Sequence, residues 1–154
     1  ALSSPILTYM RSKGFGLKFI SPIFSTQVRF SGYAFVDNTD LLQVISALQQ
    51  YGFAISSLQQ AIDTWEGGLK VTGRALVPEK TFMYLIDFEW KNGEWSYKYA
   101  KDCPGKVFAN DIFENRTELR RVEPNIAEET LGILLAPDGS TGSQAEKMRQ
   151  MATT

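Results

Sequence analysis

Asp37, Asn38 and Asp40 stand in the stretch GYAFVDNTDLLQ, residues 32–43, directly after an apolar run. Two acids around an amide at the tip of a hairpin can serve two ends. Asp and Asn are ordinary turn residues, because their short side chains hydrogen-bond to nearby backbone. A carboxylate on a rigid mount can also hold a divalent cation. Phosphoryl transfer to a growing nucleic acid uses two such ions roughly 3.5–4 Å apart, and magnesium combines one or two carboxylates with water and phosphate oxygens. Asp37 suits that role, and spacing alone leaves both readings open.

Much other chemistry is excluded. The chain of 154 residues has no histidine, which removes His-based zinc sites, Ser-His triads and Cys-His dyads. The single cysteine, Cys103, can form no internal disulfide and has no neighbour that marks it as a nucleophile. This favours a nuclear or cytoplasmic setting over secretion. Gly67, Gly68 and Gly73 are not followed by the Gly-Lys-Ser/Thr of a phosphate loop. Asn115-Arg116-Thr117 matches a glycosylation acceptor but lacks a secretory context. No apolar run approaches the roughly 20 residues that span a bilayer, so no membrane is expected, and no signal peptide is visible. The chain opens on Ala1 rather than Met, which suggests an internal piece. Its 44% hydrophobic and 21% charged residues suit a globular core, and the net charge of -1 makes no general case for nucleic acid. The charges are segregated, however. Arg11, Lys13, Lys18 and Arg29 precede every acid, and Asp37, Asp40, Asp63 and Glu66 follow with no base among them. Two patches or two solvated faces both fit this pattern.

The elements that must position these residues can be read from periodicity. Residues 3–13 read as a helix, with Ser4 as cap, Pro5 in the first helical position and Gly14 as stop. LKFIS and TQVRFSGYAFV have strand composition, and the alternation of the second breaks at Gly32, where a bulge or a close backbone approach is expected. Residues 41–51 fit a helix, or a strand that becomes one. Ile55, Leu58, Ile62, Trp65 and Leu69 make the apolar stripe of a helix over 53–69, with the glycines at 67, 68 and 73 fraying or ending it. In TFMYLIDFEWKNGEWSYKY, apolar alternation and Asn92-Gly93 predict a hairpin over 81–99 with a type I′ turn, pairing Lys91 with Glu94, Trp90 with Trp95 and Phe88 with Tyr97. Its aromatics suit sheet packing, or stacking on single-stranded bases. Short strands are expected near Val107 and Leu119. TLGILLAP reads as a closing strand over 130–136. Ser143 and Glu146 suggest a capping box for a last helix, whose Met148 and Met151 would face a core or a partner. The class is α+β, with an antiparallel sheet, packed helices, an aromatic hairpin and a C-terminal helix.

YAFVDNTDL resembles the aromatic-x-Asp-Asp hairpin of reverse transcriptases, with Asn38 in the second Asp place. Further segments fall in the family's order. GLKVTGRALVPEKTFMYLIDF resembles the next palm motif, TLGILLAP the Leu-Gly segment of the primer grip, and SSPIL the helix after the Gln-Gly motif. The resemblance, to the reverse-transcriptase region of retroelement polyproteins, covers most of the chain. It implies a partial polymerase palm over 1–137, with an antiparallel palm-type sheet, and the start of a thumb over 138–154. Asp37 would ligate catalytic Mg2+ (or Mn2+), and Asn38 would keep a carbonyl ligand without the charge. The strand 33–36 would lie beneath the site, and Asp40 could assist. Lys80 would serve the leaving pyrophosphate, its plain alternative being an edge lysine. Leu131 and Gly132 would lie near the primer end, or in an ordinary core strand. Partners would be an RNA or DNA template with primer, deoxynucleoside triphosphates and the remainder of the polyprotein. The first catalytic Asp motif and the Gln-Gly motif are expected upstream of residue 1, so the chain alone is expected not to polymerise. The competing class is a non-catalytic α+β module, either a retroelement relic or a nucleic-acid-binding piece.

Overall fold

A computed structural model describes residues 3–35, 38–45 and 51–153. It is a mixed α+β structure in which, among the described residues, strands pair two by two, and all but one of these pairs are antiparallel. The chain divides into two compact units, 1–81 with 105–119, and 82–104 with 120–154.

The first unit is built on two helices, α1 (Ser3–Ser12) and α2 (Tyr51–Val71). Ile6 and Met10 of α1 pack with Ala61 and Trp65 of α2, and Leu7, Phe15, Leu41, Leu69 and Leu76 close around them. α1 begins at Ser3, so Ser4 and Pro5 lie inside it rather than at its cap and first position, whereas the C-terminal ends of both helices obey local rules. After α1, Phe15 N–H donates to the Met10 carbonyl and Gly14 N–H to that of Arg11, and after α2, Arg74 and Gly73 do the same to Leu69 and Lys70. Both are Schellman closures with a glycine at positive φ. Gly73 therefore ends α2, whereas Gly67 and Gly68 lie inside it. A Cβ on Gly68 would come within 2.5 Å of the Ile6 side chain, so this glycine is the notch that lets the helices approach.

The run TQVRFSGYAF is divided between two ribbons. β1 (Leu17–Ile20) pairs with β2 (Gln27–Phe30), and β3 (Gly32–Phe35) pairs with β4 (Asn38–Leu41). The break falls at Ser31-Gly32. Gly32 has φ 154° and a Cβ there would lie 2.1 Å from the Asp40 carbonyl oxygen, which is the close approach that the broken alternation implied. Residues 42–45 have no regular structure, and 46–50 lie outside the described residues, so the alternatives for 41–51 meet the structure only in part. The unit is completed by a 3-10 turn, Pro78–Lys80, and by the ribbon of β8 (Phe108–Asn110) with β9 (Arg116–Glu118).

In the second unit, β6 (Phe88–Lys91) and β7 (Glu94–Tyr97) form the aromatic hairpin in the expected register, with Asn92 and Gly93 both at positive φ. Residues 82–84 do not extend it. They form β5 (Phe82–Tyr84), which pairs in parallel with β10 (Arg120–Val122) and buries Met83 and Val122. The segment 130–136 is not one strand. β11 (Glu128–Thr130) and β12 (Ile133–Leu135) are antiparallel partners, and Leu131-Gly132 is their turn. The C-terminal helix α3 (Gly142–Ala152) is present, but Thr141 is its N-cap and makes no side-chain cap. Ser143 and Glu146 form no capping box, because the first turn is anchored otherwise. Gln144 Oε1 accepts from Leu134 N–H at 2.8 Å, and Glu146 pairs with Arg149 at 2.8 Å. Met148 and Met151 are exposed.

Candidate functional site

The β3–β4 ladder runs Gly32 to Leu41, Tyr33 to Asp40, Ala34 to Thr39 and Phe35 to Asn38. Val36 and Asp37 follow Phe35 and lie outside the described residues, so the candidate metal ligand Asp37 has no described geometry. Its mount is well defined. Leu42 N–H donates to the Ser31 carbonyl at 2.9 Å, and the buried Ser31 hydroxyl donates to the Leu7 carbonyl of α1 at 3.3 Å. Gln43 Oε1 accepts from Gly16 N–H at 3.0 Å. The ribbon is thus tied at its base to the two-helix core and leaves Asn38 exposed at the other end.

Asp40 is already engaged. It faces Tyr33 across the ladder, and its hydrogen bond with the phenol, helped by burial and by the carboxylate's charge, raises the Tyr33 pKa. Among the described residues no three His, Cys, Asp or Glu side chains converge to hold a metal ion. Asn38 offers a neutral carbonyl and Asp40 a carboxylate shared with a phenol, which is too little charge to hold a magnesium pair. The described residues therefore do not by themselves fit that cofactor.

Lys80 closes the 3-10 turn. Its N–H donates to the Val77 carbonyl at 3.0 Å, its side chain is exposed, and it has no ion pair among the described residues. Leu131 and Gly132, at φ 53° and 82°, belong to the second unit, where Lys147 Nζ donates to the Gly132 carbonyl at 2.9 Å and pairs with Glu129 at 2.9 Å.

Three polar constellations escaped sequence reasoning. In the first unit, Gln59 exchanges two hydrogen bonds of 2.8 Å with the backbone of Phe108. One turn pair further along α2, the buried Glu66 accepts from Asn110 N–H at 2.6 Å and from its side-chain amide at 2.7 Å. The helix thereby reads alternate residues of β8. The only available signal was two polar residues seven apart beside the apolar stripe. Also in this unit, Lys70 and Glu114 pair at 2.8 Å on the rim of an open depression of about 250 Å3, lined in addition by Arg74, Asp111 and Ile112. In the second unit, Lys98 Nζ lies 2.6 Å from Asp87 Oδ2. Burial pushes the Asp87 carboxyl up, but the hydrogen bonds from Lys98 and Phe88 N–H, with the Lys98 charge, outweigh it and leave the pKa lowered. Cys103 beside them is buried, which pushes its thiol up and makes it a poor nucleophile.

Comparison with protein-family models, with curated proteins and with solved structures finds no match. No helix among the described residues is long and apolar enough to cross a membrane.

Proposed function

We propose that this chain is part of an RNA-directed DNA polymerase of a retroelement, and that it is incomplete as a catalyst. The observation that carries the reading is the short antiparallel ribbon whose strands end at Phe35 and resume at Asn38, opposite one another, on either side of Val36 and Asp37 in the chain. A tight ribbon anchored to a helical core suits the rigid presentation of one carboxylate to a cation and a triphosphate. Asp37 is the residue assigned to Mg2+ or Mn2+, with Asn38 beside it. Lys80 remains the candidate for the leaving group, since its ammonium is uncommitted among the described residues. Leu131 and Gly132 are the candidate primer contacts, now as a turn rather than a strand. The partners are a primed RNA or DNA template, deoxynucleoside triphosphates and the rest of the polyprotein, in the nucleus or cytoplasm.

The shortage of carboxylates at the described end of the ribbon supports the incomplete state. A second acid, which the resemblance implies, would complete the holding of two metal ions. Manganese titration followed by NMR tests the assignment. Paramagnetic broadening is expected at Asn38 and Thr39 at millimolar ion, and is expected to vanish in Asp37→Ala. Broadening that is absent, or unchanged by the substitution, refutes the metal role. Primer extension by the isolated chain above the Asp37→Ala background would refute the incompleteness.

A further inference from the structure

The strongest feature outside that ribbon is the other one. Among the described residues, β1 and β2 form a two-stranded ribbon with no third strand beside it. Its tip, residues 21–26, is closed by hydrogen bonds. Ser21 N–H donates to the Thr26 carbonyl and Ser25 N–H to the Ser21 carbonyl, both at 2.9 Å, and Phe24 N–H donates to the Ser21 hydroxyl at 3.3 Å. Large apolar side chains stand in water here. Ile20 is 70% exposed, Ile23 81% and Phe24 73%, with Pro22 between them. The hydrogen bonds across the tip hold the backbone with these groups outward.

The stem is basic. Lys18 and Arg29 are directly opposed across the two strands, an arrangement of like charges that costs stability unless an anion lies between or beside them. The Arg29 guanidinium donates to the Gly14 carbonyl and so brings the stem against the end of α1, where Arg11 and Lys13 sit. No acid occurs in the chain before Asp37. An occupant with anions outside and an apolar interior within reach of a narrow wedge complements this arrangement.

We propose that the β1–β2 ribbon docks on double-stranded nucleic acid, with Lys18, Arg29, Arg11 and Lys13 on phosphates and the Pro22–Ile23–Phe24 tip wedged at a base step. A two-stranded ribbon fits a duplex groove, and Pro, Ile and Phe are the residue types that unstack base pairs when a basic arm enters the minor groove. An anionic bilayer shares the outer charge, but the tip has neither Trp nor Tyr, the residues enriched at bilayer interfaces. The inference does not rest on the metal role of Asp37.

The test uses the full chain with a short DNA duplex carrying 2-aminopurine, in the absence of divalent ions. Binding is expected to weaken steeply with salt, and Lys18→Gln with Arg29→Gln to reduce the log–log slope by about 1.8, the contribution of two phosphates. A rise in 2-aminopurine fluorescence is expected on binding. Ile23→Ser with Phe24→Ser should abolish that rise while keeping the salt slope. These side chains are exposed, so an unchanged circular dichroism spectrum is the folding control. Absence of duplex binding overturns the proposal, as does a fluorescence rise that survives the tip substitutions. Binding to phosphatidylserine vesicles but not to duplex overturns it in favour of a membrane surface. Asp37→Ala is expected to leave all these signals unchanged, so failure here is distinguishable from failure of the metal assignment.

Discussion

At the scale of single residues, backbone sterics explain several positions that composition does not. Leu131 sits at φ 53° in the β11–β12 turn, and it is half-exposed. A residue with a branched side chain strains there by about 1–2 kcal/mol, whereas Asn tolerates the conformation. Leu131→Asn is therefore expected to raise stability by about 1 kcal/mol, read as a shift of the urea midpoint without a change of slope. Leu is a poor signature for such a turn, which is why TLGILL reads as one strand in the sequence. Gly32 is the opposite case, since it is needed and its need is legible. Gly32→Ala is expected to cost at least about 2 kcal/mol, because a Cβ would meet the Asp40 carbonyl at 2.1 Å. Glu66 is buried against Asn110, and Glu66→Ala leaves two donors without an acceptor, for an expected loss of about 2–3 kcal/mol. A loss near zero in thermal unfolding would show that water replaces the carboxylate.

Elements are joined by two kinds of contact, and they differ in strength. α1 and α2 meet through a glycine notch, so Gly68→Ala sets a helix-propensity gain of about 1 kcal/mol against overpacking on Ile6 of about 1–3 kcal/mol. The clash at 2.5 Å decides for net destabilisation, and Ile6→Val in the same chain is expected to recover part of it. α3 meets its hairpin through Gln144 and Lys147 and buries no side chain. Its amides are thus expected to exchange with solvent orders of magnitude faster than those of α2, whose opening exposes Trp65 and Ala61. In the aromatic hairpin, Trp90 and Trp95 make an edge-to-face pair with ring centroids 5.2 Å apart, yet both remain more than half exposed. A double-mutant cycle is expected to give a coupling of about 0.5–1.5 kcal/mol, the mark of a cross-strand brace. The turn and the period-two pattern make this hairpin readable in sequence, because every contact in it is local.

For the molecule as a whole, acid sensitivity follows from carboxylates that ion pairs and hydrogen bonds hold below their ordinary range. The Arg120 guanidinium bonds both oxygens of Glu128, at 2.5 and 2.7 Å, and lowers its pKa. Asp87 is lowered on balance by Lys98 and the Phe88 N–H. Groups depressed on folding contribute stability above their unfolded values, about 3.9 for Asp and 4.3 for Glu, and lose it as pH falls through the folded ones. Stability is expected to decline below about pH 4, and Glu128→Gln to flatten that decline in urea titrations at successive pH values. By itself the sequence determined whatever depends on neighbours along the chain: the α+β class, the stripe of α2, the glycine stop after α1, the aromatic hairpin with its register, and the basic lead. The tertiary structure decided what depends on residues far apart. The parallel partner of β5 lies beyond residue 119, the carboxylate of Asp40 is taken by a phenol on the facing strand, and Glu66 is held by a residue 44 positions away. Periodicity records only which way a side chain points. Which distant group meets it follows from chain closure and packing, and those leave no local mark.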